Sequence, residues 1–233
     1  MREETIAATG RGLDFPAPCP APQDLLFRHG SMGARHGERG FTLVELVIVV
    51  AIALIVSAMA VPQFVTIRRN YRSLGDSRNI HSEIVLAKMR AAANFTRARA
   101  RFDLNARSYR LEIWNRATNV WATEGGIERL TPDVRFGVGA LTTPPPSTQA
   151  ILGQSPECRP GDATGPAGGA AIANTACVEF NSRGIPVDTG ANPFGNNGIY
   201  ITDGTSVYGS TVSITGQAQA WRAEANVANW TRR

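Results

Sequence analysis

The chain has 233 residues, 43% of them hydrophobic and 18% charged, with a formal net charge of +5. That length suits one domain plus an anchor. The basic excess rests on 23 arginines and a single lysine, Lys88; such a bias follows genome composition and is not by itself a sign of nucleic-acid binding.

Residues 1–40 read as a leader: small residues, proline and mixed charge, with no periodicity. Met32 offers an alternative start, which would leave the short segment Met-Gly-Ala-Arg-His-Gly-Glu-Arg-Gly before Phe41. From Phe41 to Val61 the chain is apolar except for Thr42, Glu45 and Ser57. A helix of that length spans roughly 30 Å, the hydrocarbon thickness of a bilayer. The run predicts either a membrane-spanning helix over 41–62 or a secretion signal. An acid inside such a helix costs about 2.5–3.5 kcal/mol at the bilayer centre, less near the end where Glu45 lies. Ala58-Met59-Ala60 supplies an ordinary signal-peptidase tripeptide, and cleavage there would release a soluble exported protein beginning at Val61.

An amphipathic continuation is expected over 63–95. Phe64, Ile67, Tyr71 and Leu74 form one stripe, and Ile80, Ile84, Ala87 and Ala91 a second. The gap between them predicts that the helix bends, breaks or changes partner near Gly75-Asp76-Ser77, with Pro62 as an earlier kink. From Thr96 the period switches to two. Ala98, Ala100, Phe102 and Leu104 alternate with Arg97, Arg99, Arg101 and Asp103, a strand with a charged outer face. A second strand follows at Tyr109–Ile113, a weaker one at 120–123 closed by Gly125-Gly126, and a short one at 134–138. Residues 141–176 are a Gly/Pro-rich loop, long enough to be functional or flexible. Strands resume at Val178 and Phe180, at Ile199 and Ile201, and in a hairpin of 207–214 with 218–221. Residues 223–233 read as a tail. One long helix followed by many short strands indicates an α+β fold with antiparallel sheets.

The segment Gly40-Phe41-Thr42-Leu43-Val44-Glu45, preceded by Arg35, His36 and Arg39, resembles the cleavage and methylation signature of type IV pilin-like proteins. The resemblance implies cutting by a prepilin peptidase between Gly40 and Phe41 and N-methylation of Phe41. It also implies pairing of Glu45 with the terminal amine of a neighbouring subunit, so that two opposite charges offset each other's desolvation. A looser resemblance to the GspH/FimT group of minor pseudopilins covers roughly 78–222. It rests on Val178-Glu179-Phe180-Asn181-Ser182-Arg183-Gly184 and on Val212-Ser213-Ile214-Thr215-Gly216. The partners implied are other pilin subunits, the peptidase and the inner membrane, with the β-rich domain over 96–222 on the outer side.

Removal of the leader discards Cys19 and leaves Cys158 and Cys177. In a domain facing an oxidising compartment the pair suggests a disulfide across the loop, the alternative being two free thiols. No cofactor, metal or catalytic set is expected. The histidines are His29 and His36 in the leader and His81 on the helix, and no phosphate-binding glycine motif stands between a strand and a helix. Residues 68–116 hold twelve basic against four acidic residues, a local charge of +8. Arg97, Arg99 and Arg101 on one strand face are candidate phosphate contacts. Some FimT-like subunits bind DNA through a late Gly-Arg-x-Arg turn; the corresponding turn here is Gly216-Gln217-Ala218-Gln219, without the two arginines.

Overall fold

A computed structural model describes residues 40–233. Residues 1–39 of the expected leader, with Cys19, His29, Met32, Arg35, His36 and Arg39, lie outside the described residues. The chain divides into two units, Met1–Ile48 and Val49–Arg233. One helix, α1, runs over Leu43–Ala93. Nine strands follow: β1 (Ala98–Asp103), β2 (Ser108–Asn115), β3 (Val120–Arg129), β4 (Arg135–Phe136), β5 (Thr175–Phe180), β6 (Asn197–Thr202), β7 (Ser206–Val212), β8 (Ala218–Glu224) and β9 (Val227–Arg232). They form two antiparallel sheets, ordered β3-β2-β1-β5 and β4-β6-β7-β8-β9. The fold is α+β, as the order of periodicities predicts.

The second helical stripe does what its spacing implies. Ile80, Ile84, Ala87 and Ala91 are buried in one core with Ala98, Ala100, Phe102, Val178 and Phe180 of the first sheet and Ile199, Ile201 and Val212 of the second. Alanine at the last two positions lets the backbones approach closely. Of the outcomes expected near Gly75-Asp76-Ser77, a break is absent, since α1 continues through it and through Pro62. The change of partner is present, because Phe64, Ile67 and Tyr71 before it are exposed and Ile80 and Ile84 after it are buried. The packed face does not end there; it turns polar. Ser73, Asp76 and Ser77 are buried. Ser73 Oγ donates to Asp203 Oδ2 at 2.7 Å, while Asp76 Oδ2 accepts from Thr131 N–H at 2.9 Å and Thr131 Oγ1 at 2.7 Å. Apolar periodicity misses a face satisfied by hydrogen bonds. Asp76→Ala leaves two half-buried donors of Thr131 unmatched and is expected to cost about 1 kcal/mol, measured by denaturant unfolding of the full chain in detergent.

Sheet topology corrects two further expectations. β3 does not close at Gly125-Gly126 but continues to Arg129 across a bulge. The supposed tail contains β9, and Trp230 is buried with its Nε1 donating to the Thr143 carbonyl at 2.8 Å. Trp230 belongs to a second core with Leu141, Tyr200, Val207, Trp221 and Ala223, and the early part of the Gly/Pro-rich loop covers it. Gln149 Oε1 accepts from Tyr200 Oη at 2.6 Å. Gln154 brackets the Tyr200 backbone, donating to its carbonyl at 2.8 Å and accepting from its N–H at 2.9 Å. The Gln154 bonds extend the pairing on that side of β6 beyond the short β4, next to Gly137 N–H, which donates to the same Tyr200 carbonyl at 2.9 Å.

Candidate processing and assembly site

The N-terminal unit presents the methylation-type segment at the start of α1. Phe41 is 78% exposed. Glu45 N–H donates to Thr42 Oγ1 at 3.2 Å, and Leu46 N–H donates to the Thr42 carbonyl at 3.1 Å. Thr42 is therefore the helix cap, and Thr42-Leu43-Val44-Glu45 has capping-box spacing. This role escapes a reading centred on Glu45 alone, although a threonine three residues before a glutamate signals it. An acid in the first turn also suits the positive end of the helix dipole. Among the described residues no cation pairs with Glu45. Among the described residues, a Cβ built on Gly40 would meet nothing within 4 Å, so they place no steric demand for glycine there.

The apolar run is long and hydrophobic enough to cross a membrane, and none of its most apolar window is buried. Ser57 Oγ donates to the Ala53 carbonyl at 2.7 Å, which satisfies that hydroxyl within the helix. Beyond Val61, Phe64, Ile67 and Tyr71 of the first stripe are exposed as well.

Cys158 and Cys177 form a disulfide with Cα atoms 5.1 Å apart. It pins the later part of the loop across the first sheet, and that placement overturns the expected charged outer face of β1. Arg99 is only 1% exposed. In register it lies opposite Glu112 on β2 and Glu179 on β5. Its Nε donates to Glu112 Oε2 at 2.6 Å, its Nη1 donates to the Arg159 carbonyl of the loop at 2.6 Å, and its guanidinium sits 4.0 Å from the Trp121 ring centre. Arg97 pairs with Glu179 at 2.8 Å. Arg101 and Arg110 share Glu112 Oε1, at 3.4 and 2.7 Å. Burial alone would raise the Glu112 carboxyl, but Arg99, Arg110 and Arg101 together hold it below its ordinary value. Burial raises Glu179 against the opposing pull of Arg97. The three arginines expected to offer a phosphate stripe thus spend donors on carboxylates and a carbonyl.

Residues 35–61 match the family model of the prokaryotic N-terminal methylation motif. No curated protein and no solved structure matches the chain. The matched segment contains Gly40, Phe41, Thr42 and Glu45 and runs into the apolar helix. The chain thus carries a prokaryotic N-terminal methylation motif at the head of an apolar helix, followed by an α+β fold.

Proposed function

We propose that this chain is a minor pilin or pseudopilin of the GspH/FimT kind, a structural subunit of a type II secretion pseudopilus or a type IV pilus. Prepilin peptidase cuts between Gly40 and Phe41, Phe41 is N-methylated, and Glu45 meets the terminal amine of a neighbouring subunit during assembly. α1 anchors the subunit in the inner membrane before assembly and the β-rich domain stands outside. The observation that carries this reading is the methylation motif over 35–61 with its acid in the first turn of an unburied apolar helix. The open surroundings of Gly40 among the described residues support it, because a glycine they do not need fits recognition by a peptidase.

Sequencing and mass measurement of the mature amino terminus test the proposal. Methylated Phe41 is the expected result; a soluble protein beginning at Val61 would overturn it. Glu45→Ala is expected to leave cleavage intact and to impair methylation or assembly, scored by the subunit content of sheared filament fractions. DNA uptake is the weaker reading, because Arg97, Arg99 and Arg101 are paired and the 216–219 turn lacks arginine.

A further inference from the structure

Two features of the β-rich unit are unused by that reading. The first is the bulge in β3, an edge strand of its sheet. Between Tyr109 and Leu111 of β2, the facing residue on β3 jumps from Glu128 to Glu124. Arg110 alone opposes Gly125, Gly126 and Ile127, and a bulge of this kind re-aims a side chain. Ile127 is 57% exposed, and a Cβ on either glycine would meet nothing within 4 Å. Glutamates flank this knob. Glu124 pairs with Arg90 at 2.7 Å, whereas Glu128 has no ion pair among the described residues. Burial, then Glu128 and Glu124, push the carboxyl of nearby Glu83 up.

The second feature is a groove between α1 and the other sheet. A cavity of about 440 Å³ is lined by Leu74, Arg78, His81, Tyr208 and Trp221, among others. An adjoining pocket shares Leu74 and Tyr208 and adds Ile67, Tyr71 and Arg222. The floor is apolar and aromatic, and the charged side chains that line it are arginines; no Asp or Glu side chain lines either part. Arg222 lies 5.8 Å from the Tyr208 ring centre. His81 Nδ1 is buried without a hydrogen-bond partner among the described residues. This surface fits an apolar side chain carried between carboxylates on a strand with free backbone groups.

We propose that Ile127 of one copy of this chain seats in the groove of a second copy, with the carboxylates beside it facing Arg78 and Arg222. The inference rests on the filament reading to the extent that copies must meet. It joins two different patches, so the contact is heterologous and propagates rather than closing a two-fold dimer.

Disulfide trapping in the native membrane tests it. One tagged full-length copy carries Ile127→Cys and a differently tagged copy carries Ser82→Cys, an exposed position in the groove wall. The mixed cross-link is expected only when both are present. Arg222→Glu on the groove copy is expected to lower its yield about tenfold, the loss of one close charge pair, and Glu128→Arg on the other copy to restore it. Absence of the cross-link in protein with a Phe41 terminus overturns the docking and leaves the filament reading standing. A cross-link that survives Arg222→Glu, or that captures a different protein instead, also overturns it. A cross-link in protein lacking the Phe41 terminus supports the docking and removes the filament reading, and unprocessed protein with no cross-link removes both.

Discussion

Replacing Glu112 by leucine is expected to destabilise the β-rich domain by about 3–5 kcal/mol, the cost of leaving a buried charge without its partner. Arg99 would keep the Arg159 carbonyl and the Trp121 ring but lose its one close carboxylate contact among the described residues. Arg101 and Arg110, paired across β1 and β2, would face each other with nothing between them. Arg99→Met is expected to cost less, because Arg101 and Arg110 still meet the Glu112 carboxylate. The double variant is expected to recover part of the loss, since an apolar pair of similar volume no longer has charge to bury. Denaturant unfolding of all four proteins measures the coupling.

The same pair gives a pH dependence. The folded protein holds Glu112 below its ordinary value, so its contribution is complete above the unfolded glutamate range, about pH 4.3. It fades as pH falls through the lower folded value, because the unfolded chain binds the proton first. The stability difference between the wild type and Glu112→Leu is therefore expected to shrink in that acid window. Glu179, raised by burial, acts in the opposite direction, but it is common to both proteins and drops out of the difference.

Cys158→Ser is the second large effect, expected to cost about 3 kcal/mol by releasing a loop whose ends are 19 residues apart. This loop is the cover over the charged cluster. Arg159 accepts from Arg99 through its carbonyl, and Pro166 accepts from Trp121 Nε1 at 3.1 Å. Once the cover loosens, water reaches Arg99 and Glu112, and losing either charge costs less. Cys158→Ser combined with Glu112→Leu is thus expected to destabilise by less than the two separate losses together. Full additivity would show that the loop and the ion cluster are energetically independent.

The long apolar helix, the methylation motif, the apolar face of α1 and the alternation of β1 and β2 were legible from residue order, because each is a local pattern. The α+β class follows from the switch in period after Thr96. What residue order left open was the surroundings of each face. The Arg97-Arg99-Arg101 stripe has the alternation of a solvated strand face, yet a loop tethered by a disulfide covers it and carboxylates on both neighbouring strands pair with it. Asp76 and Ser73 look like a break in an apolar stripe, yet Thr131 and Asp203 complete the packed face from 55 and 130 residues away. Trp230 looks like part of a tail until Thr143 and Tyr200 supply its site. Hydrophobic periodicity reports which side of an element turns inward, but partners supplied by distant chain decide whether a polar side is buried. That is why the apolar helix and its methylation motif were determined by sequence alone, and why the ion cluster and the last strand were decided only in the tertiary structure.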